Sequence, residues 1–329
     1  MPSSVLEYPW LQPIWAQLQQ RYEQQRLPHA LLLGGAQGVG ERQLAQQLLQ
    51  GFLCREAGLQ ACGQCRSCQL LAAGSHPDFL ALQPEGAQQS IRIDSVRQIS
   101  EFSANTAQQG HGKAILLESA ERLNVQAANA LLKNLEEPPA NTLFVLTCTH
   151  PQQLMATIRS RCQLVKLPKP STEQAITWLT EQGVKQAALL WFMTQGSPLQ
   201  ALQWHEQDWQ QYWPKWQQDL LATLEAEQLP QQVAERWQGW PLPLTPILHW
   251  WAGLLHQCTR QQLGGQGEAS HYDEVLLQRL HRLPSERLFA FYRQLLELAA
   301  QLGSVANFNP AMAIEALLID WVRLVKSQR

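Results

Sequence analysis

Three groups of residues in this chain have the types and spacing that chemistry requires. The first is the run Gly34-Gly35-Ala36-Gln37-Gly38-Val39-Gly40-Glu41-Arg42. Gly35, Gly38 and Gly40 keep the spacing of a phosphate-binding loop, GxxxxGK[S/T], whose backbone N–H groups and following helix N-terminus cradle phosphates. The lysine that should reach the β and γ oxygens is replaced by Glu41, and the hydroxyl that should hold Mg²⁺ by Arg42. A carboxylate at Glu41 repels phosphate, so the run reads as a strand-to-helix turn stripped of its nucleotide chemistry. A second strand end agrees. ATPases follow an apolar strand with two carboxylates, one for Mg²⁺ and one to orient the attacking water. Here Ile115-Leu116-Leu117 is followed by Glu118 and Ser119, which leaves a metal-contacting type and removes the water-orienting one.

The second group is Cys54, Cys62, Cys65 and Cys68. Four thiolates at this spacing form the tetrahedral sulfur set that structural zinc prefers, with an iron–sulfur cluster as the rival. The segment between them is short and polar, so a metal staple accounts for its order better than apolar burial does. Cys148, Cys162 and Cys258 stand alone and read as packed thiols. The third group is Ser160-Arg161-Cys162, just ahead of an apolar strand. In an α/β nucleotidase domain an arginine there lies away from the domain's own loop, the geometry of an arginine finger that reaches a neighbour's γ-phosphate. Most arginines are surface or salt-bridging residues, and spacing alone does not separate the two readings. His76, before Pro77-Asp78, reads as a turn fixture. Trp204, Trp209, Trp213 and Trp216 fall near helical spacing and read as core or subunit packing in preference to base stacking.

The elements that must position these groups follow from periodicity. Leu11, Ile14, Trp15, Leu18 and Tyr22 mark an opening amphipathic helix. Buried strands are predicted at His29–Leu33, Phe79–Leu82, Lys113–Leu117, Leu143–Thr147 and Leu164–Leu167. Leu44, Leu48, Leu49 and Phe52 mark a helix after the Gly-rich run. Another spans Asn124 to Glu137 and is stopped by Pro138-Pro139. Strands alternating with helices predict βαβ units and a mainly parallel sheet. Beyond Ser171, which opens a capping-box pattern with Gln174, only helical periodicity appears, with loops at Gly239–Pro246 and Leu263–Ser270. Expected domains are an α/β unit at 1–167 carrying the cysteine knot at 54–68, a small helical lid at 168–203, and an all-helical unit at 204–329.

The 329 residues carry a formal net charge of −2 and only 16% charged side chains, against about 25% in ordinary globular proteins. That balance argues against a chain that coats nucleic acid alone. Clustered cysteines without a secretory signal suit a reducing compartment. The N-terminus MPSSVLEYPW has neither the basic start nor the apolar core of a signal peptide, and there is no apolar run of about 18 residues to span a membrane. The expected location is the cytoplasm.

The motifs "GGAQGVG", "CGQCRSC", "AGSHPD", "NALLKNLEEPP" and "SRC", in this order, resemble the subunits of the bacterial DNA polymerase III clamp loader, within the wider AAA+ family. The resemblance covers roughly residues 5 to 200 closely. It implies an AAA+ module, a parallel-sheet domain plus helical lid, followed by an all-α C-terminal collar domain. It further implies a hetero-pentameric ring with gamma/tau and delta subunits that places a sliding clamp on primer–template DNA. Arg161, with Ser160 and Cys162, would act in trans on ATP held by the adjacent gamma/tau subunit, and Cys54, Cys62, Cys65 and Cys68 would hold structural zinc. Active relatives carry a lid arginine shortly after "GS"; aligned on Gly196-Ser197, this chain has Leu199. With loop, strand end and lid all altered, the expectation is a scaffold and activator that binds no ATP and is not itself an enzyme. Lys133 stands between a DNA-phosphate contact and a solvated face. A self-sufficient ATPase with a divergent loop and a zinc-dependent nucleic-acid binder are the competing readings.

Overall fold

Five short apolar runs build one sheet. They are β1 (Ala30–Gly34), β2 (Phe79–Leu82), β3 (Lys113–Leu117), β4 (Thr142–Cys148) and β5 (Gln163–Lys166), all parallel, in the order β2-β3-β4-β1-β5. The structure is a computed structural model describing residues 7–56, 58–84, 90–109, 112–264, 272–302 and 309–326. The central strands β1, β3 and β4 are buried throughout, as expected of a parallel sheet covered on both faces. β2 and β5 are corrections to the sequence reading. Both are edge strands whose side chains are half-exposed or exposed, Leu164 among them, apart from buried Leu82, because each has a neighbour on one side only.

Helices cover the sheet. In chain order they are α1 (Gln12–Glu23), α2 (Glu41–Leu53), α3 (Arg66–Ala72), α4 (Ile93–Ala104), α5 (Val125–Glu136) and α6 (Ala156–Arg159). Successive strand residues face opposite ways, so Ala30 and Leu32 join Phe144, Leu146, Ile115 and Leu117 in a core with α4, α5 and α6. Leu31 and Leu33 turn to the other face, the side on which α2 packs through Leu44, Leu48 and Leu49. Asn124 caps α5 by accepting the Ala127 N–H at 2.8 Å, and Pro138-Pro139 end it.

The remaining helices are α7 (Thr172–Glu181), α8 (Ala187–Met193), α9 (Pro198–Glu206), α10 (Trp213–Leu224), α11 (Pro230–Gln238), α12 (Leu244–Gln262), α13 (Glu274–His281), α14 (Ser285–Leu302) and α15 (Pro310–Lys326). The capping box at α7 forms: Ser171 Oγ accepts the Gln174 N–H, and Gln174 Oε1 accepts the Ser171 N–H, both at 3.2 Å. The expected loop at Gly239–Pro246 is shorter, because α12 starts at Leu244 and Pro246 sits in its first turn, where no N–H is needed. The expected loop at Leu263–Ser270 runs into residues 265–270, outside the described residues.

Tertiary contacts divide the chain into two compact units. One is Met1–Trp178 with Ser197–Leu199, and the other is Leu179–Gly196 with Gln200–Arg329. Within the second, tryptophans form the core: Trp204, Trp213 and Trp216 are buried, and Trp209 packs on Trp204 with ring centroids 5.2 Å apart. Trp213 also meets Trp250 edge-on at 5.2 Å, and Trp251 meets Trp321 likewise at 5.3 Å. Among the described residues, no helix is long and apolar enough to cross a membrane.

Candidate functional site

The Gly-rich run turns β1 into α2, as its glycines require. Gly38 and Gly40 both adopt positive φ, and Gly40, at φ 101°, is the residue on which α2 starts. A side chain at Gly40 would also run into Leu11. The turn is held from within its own unit. Val39 is fully buried and its carbonyl accepts the Trp10 indole N–H at 2.7 Å, while Tyr8, Trp10 and Trp178 form a ring cluster with centroids 5.4–5.7 Å apart.

The two replaced side chains are both engaged. Glu41 Oε1 accepts the Gly38 N–H at 3.3 Å, so a carboxylate of the chain itself takes one of the loop donors that a phosphate would use. Arg42 Nε lies 3.1 Å from Glu118 Oε1, which ties the loop to the residue following β3. Burial pushes the Glu118 carboxyl above its ordinary pKa; Glu41 adds to this and Arg42 opposes it. Ser119 adopts a left-handed backbone, and its N–H is taken by Thr147 Oγ1 at 3.1 Å. Leu199, expected from the sequence to stand where active relatives carry a lid arginine, donates its N–H to the Gly38 carbonyl at 3.1 Å. Loop, strand end and lid position therefore meet in one place, at the carboxyl ends of the strands, where open α/β sheets bind ligands.

The four cysteines also converge, their sulfurs all within 4.8 Å of one another. Cys54 ends α2, Cys65 caps α3 and Cys68 lies in its first turn. Cys54 Sγ is 4.0 Å from Cys65 Sγ and Cys62 Sγ is 3.9 Å from Cys68 Sγ. Tetrahedral zinc with bonds of about 2.3 Å places its sulfurs about 3.8 Å apart, so the residues fit a metal ion. Backbone N–H groups of Cys62, Cys65 and Cys68 point at the sulfurs of Cys54, Cys62 and Cys65 at 3.3–3.5 Å, a second shell that favours thiolates. Gly51 lets the loop close: a Cβ there would lie 1.5 Å from the Leu59 carbonyl oxygen.

His76 takes part in neighbouring structure. Its Nδ1 accepts the Asp78 N–H at 3.0 Å, which leaves Nε2–H to donate to Ser67 Oγ at 2.9 Å, and the Ser67 hydroxyl donates to the Leu53 carbonyl. Asp78 in turn accepts the N–H groups of Gln108 and Gln109 at 2.8 and 2.7 Å. Cys148, Cys162 and Cys258 are buried, and burial pushes their thiols up to about 12, 11 and 11. Burial thus disfavours the thiolate that nucleophilic chemistry needs.

Arg161 stands just before β5, at the opposite end of the strands from the loop. β5 begins at Gln163 beside Leu31, and the parallel register sets Lys166 beside Gly34, so the arginine enters at the amino end and the loop leaves from the carboxyl end. Arg161 Nη2 is 2.5 Å from Glu136 Oε1, and Nη1 donates to the Thr157 carbonyl at 2.9 Å. Sequence reasoning missed Glu136, since nothing in the spacing of "EEPP" and "SRC" announces that they touch. Ser160 is exposed, Cys162 is buried, and Lys133 is exposed on α5.

Comparison with known proteins settles the family. A family model described as "DNA polymerase III, delta subunit" matches residues 10–171, and one described as "DNA polymerase III, delta subunit, C terminal" matches 215–323. The DNA polymerase III subunit delta' of Pseudomonas aeruginosa is 36% identical over 324 residues, covering 96% of this chain and 98% of the relative. The chain belongs to the delta-prime family of DNA polymerase III subunits. A second delta-prime relative, from Escherichia coli, is 35% identical and covers 95% of this chain and 94% of its own. Among solved structures, a gamma subunit-related protein of Thermotoga maritima aligns over 94% of this chain and all of its own, at 18% identity and TM-score 0.48. The parallel-sheet unit followed by an all-helical region is the architecture of this delta-prime chain.

Proposed function

We propose that this delta-prime chain is the non-hydrolysing scaffold and activator of a clamp loader that places a sliding clamp on primer–template DNA. The carrying observation is the self-filled loop, in which Glu41 takes the Gly38 N–H and Arg42 is paired to Glu118. A site whose lysine and hydroxyl are replaced, and whose replacements already bond to the loop and the acidic strand end, lacks the groups that bind Mg-ATP. The chain's contribution to hydrolysis is then Arg161, flanked by Ser160 and Cys162, donated in trans to ATP on an adjacent gamma/tau subunit. Delta and gamma/tau subunits are the proposed ring partners, in the cytoplasm. Residues 1–167 and 168–203 serve as the AAA+ module, and 204–329 as the collar. Zinc is the metal proposed for Cys54, Cys62, Cys65 and Cys68, where four thiolates and no open position make it structural.

The test is reconstitution with gamma-type and delta subunits. Arg161→Ala should leave assembly and ATP binding intact and reduce DNA- and clamp-stimulated ATPase about tenfold or more, the scale of an arginine finger. Wild-type turnover in that variant removes the finger role. Micromolar Mg-ATP binding by the isolated chain, measured by calorimetry, would instead support a self-sufficient ATPase.

A further inference from the structure

Arg161 does not float free at the sheet edge. Its guanidinium is anchored on one side only. Nη2 meets Glu136 Oε1 at 2.5 Å, and Nη1 meets the Thr157 carbonyl at 2.9 Å and Ser160 Oγ at 3.4 Å. A guanidinium carries five N–H donors in a rigid fork, so Nε–H and the second Nη2–H remain to be used. Both anchors stand on fixed ground. Glu136 is the last residue of α5, whose end is set by Pro138-Pro139 and by the His29 Nε2–H donating to the Leu135 carbonyl at 3.1 Å. Thr157 lies on α6 beside fully buried Ile158, and the Arg161 N–H itself bonds to the Ile158 carbonyl at 3.1 Å.

We infer that Glu136 is the positioning residue for Arg161, holding one half of the guanidinium so that the other half is presented to a phosphate. The inference rests on the finger reading given above. An arginine side chain loses rotamer entropy on reaching a ligand, and a tether in place beforehand removes much of that cost. As a positioning residue Glu136 acts on turnover through Arg161.

The experiment is a double-mutant cycle in the reconstituted complex, following DNA- and clamp-stimulated ATP hydrolysis. Glu136→Ala should lower kcat about threefold to fivefold, the size of a half-exposed ion pair, with KM for ATP unchanged. In the Arg161→Ala background the same substitution should change nothing further. Glu136→Gln, nearly isosteric, serves if alanine perturbs the end of α5. If Arg161→Ala is slow while both Glu136 variants keep wild-type kcat, the positioning role is wrong and the finger stands. A loss from Glu136→Ala that persists without Arg161 likewise overturns it, since the effect is then structural. If Arg161→Ala itself has no effect, the finger reading falls first, and the inference with it.

Discussion

Arg42 Nε and Glu118 Oε1 lie 3.1 Å apart, joining the first turn of α2 to the residue that follows β3. These are the positions where a nucleotidase keeps a Mg²⁺-holding hydroxyl and a Mg²⁺-holding carboxylate. In this chain those two positions carry an ion pair. With Glu41 on the Gly38 N–H, the turn is closed by the chain's own charges.

Arg42→Ala should therefore cost stability through Glu118. The carboxylate side chain is 15% exposed and loses its cation, whereas Arg42 is 55% exposed, which limits the loss to about 1 kcal/mol in urea unfolding. The folded Glu118 carboxyl already sits above its ordinary pKa and rises further without Arg42. The folded state then binds a proton that the unfolded state releases, so lowering pH from 7 toward 5 should recover part of the deficit. A deficit independent of pH would assign the loss to packing.

Metal analysis of the purified chain should find about one zinc per molecule. Cys62→Ser should abolish it, and both that variant and chelation should open 54–68 to protease while the sheet core persists. Gly51→Ala should do the same from outside the sulfur set, because its methyl meets the Leu59 carbonyl on the returning loop. Wild-type zinc retention in Gly51→Ala is the result that contradicts this.

Burial holds the His76 imidazole below its ordinary pKa, against the opposing charge of Asp78. The neutral ring is the form that accepts the Asp78 N–H, so folding disfavours protonation. Its contribution is present above about pH 6.5, where the unfolded ring is also neutral, and is lost as pH falls through the folded value. Urea midpoints measured from pH 7.5 to 5.5 should fall more steeply for wild type than for His76→Gln. Parallel curves would remove His76 as the source.

In the second unit, Asp219 on α10 is buried and accepts the Trp237 indole N–H at 2.8 Å, with Arg236 3.1 Å from its other oxygen. Asp219→Ala leaves an indole N–H without its acceptor and a half-exposed arginine without its anion. The expected cost is about 2 kcal/mol, with altered tryptophan fluorescence. A change within about 0.5 kcal/mol, the range of ordinary surface substitutions, would show that the triad carries no net stability.

The sequence alone determined what depends on local pattern. Apolar periodicity located the five strands and the helices α1, α2 and α5, Ser171 announced the cap of α7, and Pro138-Pro139 marked where α5 stops. The cysteine spacing named the metal-fitting set, because ligands two residues apart converge within one turn whatever the rest of the chain does. Glu41, Arg42 and Ser119 stood out by residue type alone as departures from a nucleotide-binding pattern. Tertiary structure decided what depends on strand order and on contacts distant in sequence. β2 and β5 became half-exposed edges because the order β2-β3-β4-β1-β5 gives each only one neighbour. Periodicity within a strand carries no record of how many neighbours it will have. The pairings Arg42–Glu118 and Glu136–Arg161 join residues brought together only when parallel strands align their ends. The sequence named which residues stand in the Gly-rich loop, and the fold decided that the loop's charges close on themselves while one arginine is held at the opposite end of the strands.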